Sequence, residues 1–247
     1  MKNKVNVQEV RSGLHDRRSF LRISGLALAG TGLLIAGCSD DDDGGMNNTV
    51  PGPGVINGTF DLGGGDLGIL TYAYALEQLE AEFYNRVVNN ASFGSTFSPD
   101  ERAILEDLYD HEVIHREFFK AALTGAVSNP QTMLLPDLDF TFPGVNFSNR
   151  LSVLQTAKVL EDTGVAAYNG AGKYISDANY LLLAGKIVSV EARHASAIRD
   201  LLNPGSTDFA GDDVVDANGL DEALKPSLIV PMVDPFITTA FTANYLP

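Results

Sequence analysis

The chain has 247 residues, enough for one domain with a sizeable core and tails at either end. With 45% hydrophobic and 20% charged residues it reads as globular rather than disordered. The formal net charge is −15; the first 37 residues hold six basic and two acidic side chains, which leaves 11 basic and 30 acidic and a net of −19. A surface so acidic repels phosphate backbones and counts against nucleic acid as a partner. One cysteine, Cys38, excludes an intrachain disulfide and a cysteine-type zinc site.

Arg17-Arg18-Ser19-Phe20-Leu21-Arg22 precedes an apolar run from Ile23 to Ala36. A basic region followed by an apolar stretch too short to span a bilayer is an export signal, and the paired arginines are similar to the twin-arginine type, which exports folded proteins. Ile35-Ala36-Gly37-Cys38 resembles a bacterial lipobox, whose cysteine is acylated and becomes the mature first residue. An ordinary cleaved signal with an incidental cysteine is the plainer alternative, but the one cysteine of the chain stands where a lipobox needs it. Residues 1–37 are therefore expected to be a lipoprotein signal that places the protein, anchored by lipid, in the cell envelope. Residues 38–65, with four consecutive aspartates and then Gly, Asn and Pro, are expected to form a flexible tether outside the fold.

Four helices follow. The first is expected over roughly Asp66 to Asn90, where Leu70, Ala73, Leu76, Glu77, Glu80, Phe83, Tyr84 and Val87 recur at intervals of three and four. The second begins at the capping box Ser98-Pro99-Asp100-Glu101 and runs to about Leu123, with Gly125 as its stop. The third runs from Ser148, a plausible N-cap, to near Tyr174, and the fourth from about Asp177 to Leu202, where Asn203-Pro204-Gly205 ends it. Short links make the first and second helices one antiparallel hairpin and the third and fourth another. Residues 126–147, rich in Pro, Phe and Leu, form one long crossover between the hairpins. The expected fold is all-α: an up-down four-helix bundle over residues 66–203 with one long crossover. No run of strands is evident, and residues 204–247 are expected to lie on the bundle as an extension.

The second helix contains Glu112-Val113-Ile114-His115 and the fourth Glu191-Ala192-Arg193-His194. Glu-x-x-His sets a carboxylate and an imidazole on one helical face. The first helix carries Glu77 and the third Glu161. A di-metal carboxylate bundle takes one Glu from each of two helices and a Glu-x-x-His from each of the other two. The depths agree: each of these glutamates lies about 13 to 15 residues from the turn of its hairpin, roughly 20 Å along the helix. Tyr84 follows Glu77 by seven residues and Tyr168 follows Glu161 by seven, so each tyrosine shares its glutamate's inward face. A single Glu-x-x-His is usually surface. Two of them on the required helices point to metal, because four carboxylates gathered in a core destabilise it unless protonated or bound to cations. Glu80, one turn beyond Glu77, is an alternative to it; the Tyr84 spacing favours Glu77. His111 is a candidate neighbour of the ligands, Glu82 and Asp162 are expected at the surface, and Tyr84 and Tyr168 read as packing before redox residues. The aromatic crossover, Phe140, Phe142 and Phe147, is expected to pack over the bundle.

Ala75-Leu76-Glu77-Gln78-Leu79-Glu80-Ala81-Glu82-Phe83-Tyr84, His111-Glu112-Val113-Ile114-His115, Leu160-Glu161-Asp162-Thr163-Gly164-Val165-Ala166-Ala167-Tyr168 and Val190-Glu191-Ala192-Arg193-His194 together resemble the ferritin-like superfamily. In particular they are similar to its bacterial branch that also includes plant desiccation-related proteins. The resemblance spans residues 66–203 and implies a four-helix bundle holding two bridged metal ions, usually iron and sometimes manganese. It implies that Glu77 and Glu161 are terminal carboxylates, that Glu112 and Glu191 bridge, and that His115 and His194 each ligate one ion. The reaction it implies is with O2 or peroxide: ferroxidase, peroxide scavenging, or a di-manganese catalase-like variant. The tether, crossover and extension depart from cage-forming ferritins and count against iron storage. The alternative is a non-catalytic, stress-protective metal-binding or structural envelope lipoprotein. A haem-binding bundle would need axial His or Met without four carboxylates.

Overall fold

The computed structural model describes residues 50–247; the twin-arginine stretch, the apolar run, Cys38 and the tether up to Thr49 lie outside the described residues. The chain enters through a hairpin of β1 (Gly54–Ile56) and β2 (Thr59–Asp61) and then forms α1 (Gly65–Val88), a single turn α2 (Phe93–Thr96) and α3 (Pro99–Ala126). A crossover carrying the one-turn α4 (Pro130–Met133) leads to α5 (Arg150–Gly172) and α6 (Ala178–Leu202). A C-terminal segment follows with α7 (Pro226–Val233) and β3 (Phe241–Thr242). No helix among the described residues is long and apolar enough to cross a membrane.

Local chemistry sets the helix starts. Ser98 Oγ accepts from Glu101 N while the Glu101 carboxylate accepts from Ser98 N, closing the expected capping box, and Asp177 caps α6 by accepting from the backbone N–H of Asn179 and Tyr180. Two expectations are corrected. The N-cap of α5 is Asn149, not Ser148, because Asn149 Oδ1 reaches Ser152 N at 2.9 Å while the Ser148 N–H is held by Asn146. Gly125 does not stop α3, which continues to Ala126; a solvent-side glycine weakens a helix by only about 1 kcal/mol, and the chain turns when Val127 goes extended and buries.

The hairpins α1–α3 and α5–α6 pack side by side, α1 against α5 and α3 against α6, so the four helices surround one core. Arg150 stitches one end: its Nε donates to Glu101 at 2.5 Å and its Nη2 to the carbonyl of Leu201, the last turn of α6. At the other end the Asp66 carboxylate accepts from Ser176 and Asp177, tying the start of α1 to the α5–α6 turn. These two ends fix the axial register of the helices. The crossover runs along α1, where Gln78 holds it through Pro136 O and Leu138 N and Arg86 through Phe140 O. Phe142 and Phe147 pack on Phe83 of α1, with ring centroids 5.5 and 5.8 Å away.

Residues 54–65, expected to belong to a tether outside the fold, are instead part of it, and short strands are present among the described residues. Residues 54–61 form a hairpin whose second strand pairs in parallel with β3. Phe60, Asp61 and Leu62 are buried. The Asp61 carboxylate is the clasp: it accepts from Gly63 N, Thr242 Oγ1, Asn244 N and Asn244 Nδ2, at 2.6 to 3.1 Å. Strands of two or three residues carry too little alternation to be seen in a sequence. The C-terminal segment also docks on α5, where Leu224 N donates to Ala166 O and the backbones meet at Gly170. A Cβ at Gly170 would lie 1.9 Å from the Leu224 carbonyl oxygen. Gly170→Ala is therefore expected to displace this segment, lowering stability by about 1–3 kcal/mol and exposing residues 205–247 to limited proteolysis. An unchanged digestion pattern and melting curve would refute the docking role.

Candidate metal centre

Each hairpin brings its glutamates level, as the distances to the turns require. Glu77 on α1, Glu112 and His115 on α3, Glu161 on α5, and Glu191 and His194 on α6 converge between the four helices. All four glutamates are 0% exposed, His194 is 3% and His115 9%. Two groups of donors form, Glu77, Glu112, His115 and Glu191 in one and Glu112, Glu161, Glu191 and His194 in the other, each with its atoms within 4.8 Å of one another. Glu112 and Glu191 belong to both.

The contacts show how the sharing works. His115 Nδ1 faces Glu191 Oε1 at 2.8 Å, Glu77 Oε2 at 3.4 Å and Glu112 Oε2 at 3.7 Å. His194 Nδ1 faces Glu112 Oε1 at 2.7 Å and Glu161 Oε2 and Glu191 Oε2 at 3.5 Å. Glu112 and Glu191 thus each turn one oxygen to one imidazole and the other oxygen to the other. None of these near approaches has hydrogen-bond geometry: Glu77 Oε2, Glu161 Oε2, both oxygens of Glu112 and of Glu191, and the Nδ1 of both histidines are buried without a hydrogen-bond partner. Buried polar atoms are ordinarily satisfied, and a burial this dense in unsatisfied oxygens and nitrogens is a set of donors shaped for cations. Carboxylate and imidazole suit iron, manganese and zinc. The cluster can hold a metal ion.

A model of the ferritin-like domain matches residues 65–204, more than half of the chain. The chain belongs to the ferritin-like domain family. No curated protein matches it.

The electrostatics of the ferritin-like domain follow from burial. Burial raises the Glu77 and Glu161 carboxyls, to about 8 and about 7, against the lowering pull of the imidazoles beside them. Glu112 is buried too, yet the His115 and His194 rings that flank it hold it down at about 2. Burial alone would lower both histidines; the surrounding carboxylates instead raise them well above the ordinary range. Without cations these shifts favour the proton-bound forms of Glu77, Glu161 and both imidazoles.

Around the donors, two tyrosines cross between the hairpins. Tyr84 on α1 donates to Glu161 Oε1 on α5 at 2.5 Å, and Tyr168 on α5 donates to Glu77 Oε1 on α1. The sequence places each tyrosine on the face of its own glutamate, but each reaches across to the glutamate of the other helix. His111 is half-exposed and its Nδ1 lies 3.0 Å from His194 Nε2, with the rings stacked at 11°. That contact fixes the orientation of the His194 ring and leaves its Nδ1 aimed at the carboxylates. Glu80 is buried but belongs to neither donor group, whereas Glu77 belongs to one. Glu82 lies partly exposed and pairs with Arg86. Asp162, expected at the surface, instead binds Arg199 through both oxygens at 2.8 Å; Arg199 is 2% exposed and reaches Asp213 of the C-terminal segment as well. This ion pair joins residues far apart in sequence, and no local spacing announces it.

Proposed function

We propose that the centre holds two divalent metal ions, iron in the first instance and manganese as the alternative, and that the protein reacts there with O2 or peroxide as a ferroxidase or peroxide scavenger. The observation that carries this reading is the division of labour among the four glutamates. Glu77 with His115 and Glu161 with His194 form two positions, and Glu112 and Glu191 offer one oxygen to each. Four carboxylates match the charge of two divalent cations, which offsets the several kcal/mol per ion that burying the acids costs. Two iron(II) ions bound by these residues would supply two electrons to a small oxidant.

The residues of the chain would hold and screen that pair. Tyr84 and Tyr168 hold the Glu161 and Glu77 carboxylates by their second oxygens, so each turns its free oxygen inward. His111 holds His194. Among the six donors His115 is the most exposed, with 11% of its side chain accessible, which favours a molecule as small as O2 or peroxide over an organic substrate. We further propose, from Arg17-Arg18, the apolar run and Cys38, that the protein is exported and anchored by lipid in the cell envelope.

The test is to load the protein anaerobically with iron(II) and admit air. Oxidation is expected to run at least about tenfold faster than in buffer, a barrier difference of about 1.4 kcal/mol or more. Two ions bound per chain with oxidation at the buffer rate would favour the second reading, a non-catalytic, stress-protective protein whose metals stabilise the bundle. The resemblance of residues 75–84, 111–115, 160–168 and 190–194, taken together, to the branch with desiccation-related proteins is what motivates that alternative.

A further inference from the structure

Large apolar side chains gather in the open at one end of the bundle. Val50, Val55, Leu181, Leu182 and Tyr245 are 40 to 62% exposed. The other large apolar side chains exposed to this degree among the described residues lie on α5, on α7 and in the segment between α6 and α7. Remote parts of the chain build this end. The Asp66 carboxylate ties the start of α1 to the α5–α6 turn, and Leu181 and Leu182 stand just beyond that turn, where a Cβ at Gly172 would lie 3.7 Å from Leu181 Cδ1. A Cβ at Gly64, the residue before α1, would meet both Val50 and Tyr245. Tyr245 and Tyr174 of the α5–α6 turn line one hollow together with Ile69. Val55 lies in β1, whose partner β2 leads into α1. Single apolar side chains on a surface call for no explanation, but a group of them on one face marks a contact.

The path of the chain says what covers it. The described residues begin at Val50, within this patch, and Cys38 stands twelve positions earlier. Twelve residues reach at most about 40 Å when fully extended. The 24 residues of α1 are about 36 Å long, so a lipid on Cys38 reaches the opposite end of the bundle only through a fully stretched link. The composition of this end suits a border between hydrocarbon and water. Tyr174 and Tyr180 are half-buried beside Tyr245, and tyrosine presents an apolar body with a polar tip. Lys173 is exposed and lies over the Tyr174 ring, 5.0 Å from its centroid. The acids nearby are engaged: Asp61 is buried in its clasp, and Asp66 and Asp177 accept from backbone N–H groups.

Resting on the lipid-anchor reading above, we propose that this end of the bundle is a second membrane contact, at which Val50, Val55, Leu181, Leu182 and Tyr245 enter the interfacial layer of a bilayer. A single acyl chain holds a protein to a bilayer only marginally, and a second contact makes the attachment stable. The contact is apolar rather than electrostatic, because the net charge of −19 outside the first 37 residues is repelled by anionic lipid. The helices then stand away from the surface, and the centre, twelve residues into α1 at Glu77, is held about 18 Å from it.

Fluorescence quenching from the bilayer tests it. The full-length acylated protein is placed on phosphatidylcholine vesicles in which part of the lipid carries a nitroxide at the headgroup. A fluorophore is attached at one introduced cysteine: Asn179→Cys at this end, Ser95→Cys in α2 at the opposite end, or Val159→Cys on the side of α5, all three sites being exposed. Cys38 is already blocked by its lipid. Quenching at Asn179→Cys is expected to exceed that at the other two sites by at least about twofold, and about 0.5 M salt should leave it unchanged. Adding Leu181→Asp and Leu182→Asp, both at exposed positions, is expected to bring the three sites level without moving the melting curve. Equal quenching at the three sites before those two substitutions, stronger quenching at Val159→Cys, or release by salt would overturn the contact, while a lipid found on Cys38 by mass spectrometry keeps the anchor reading standing. If Cys38 carries no lipid, the anchor reading falls and this contact falls with it.

Discussion

On the two-metal reading proposed above, Glu112→Ala is expected to empty both positions at once, taking the protein from two ions per chain to none. Glu112 turns Oε1 to the His194 side and Oε2 to the His115 side, so its loss removes a donor from each group. It also leaves two imidazoles facing the vacated space. Glu191→Ala should behave alike. His115→Ala removes a donor from one group only and is expected to leave about one ion per chain, a graded result that the sharing of ligands dictates. Glu82→Ala, which breaks only a partly exposed pair with Arg86, should retain two. Elemental analysis of dialysed protein reads these stoichiometries. If Glu112→Ala keeps two ions, the bridging role is wrong.

Raising the pH is expected to lower the melting temperature of the metal-free protein while leaving the loaded protein almost unmoved. In the metal-free centre burial raises Glu77 from 4.5 to about 8 and Glu161 from 4.5 to about 7, and the carboxylates raise His115 and His194 from 6.5. A group raised on folding binds more protons in the native state than in the unfolded one. Its stabilising contribution is complete below the unfolded value and is lost as pH climbs through the folded value, so stability falls between about pH 5 and 9. Glu112 is depressed, so its contribution is lost only on acidification below its unfolded value of 4.5, outside that window. Cations replace the site's protons and bind more tightly as the ligands deprotonate. The gap between loaded and metal-free melting temperatures should therefore widen with pH, reaching on the order of 10 °C when free metal exceeds its dissociation constant about a hundredfold. Calorimetric scans across that range decide it. A metal-free melting point that stays level or rises from about pH 5 to 9 would show that the buried acids are not held by protons.

Much of the bundle and of the centre is legible in the sequence because both obey short-range rules. A Glu-x-x-His fixes two donors on one face within a single turn, and distance from a turn fixes depth, so His115, His194 and four glutamates could be brought level without coordinates. The capping box at Ser98 and the cap at Asp177 are equally local. What escapes depends on partners remote in the chain. Arg199 finds Asp162 and Asp213 only after α5, α6 and the C-terminal segment have met, and β2 finds β3 some 180 residues later. Glu80 reads as a rival to Glu77 because the two acids face inward one turn apart; the Tyr84 spacing favours Glu77, and Glu80 is buried outside both donor groups.

The Asp61 clasp has a consequence for the order in which the molecule closes. Three of its four hydrogen bonds come from Thr242 and Asn244, whereas every donor of the centre lies before residue 195. A growing chain can bring the six donors together before it reaches Thr242, but the β1–β2 hairpin stays unlatched until that residue and Asn244 have been added. Gathering the helices and latching the hairpin are separate events, and the latch comes second.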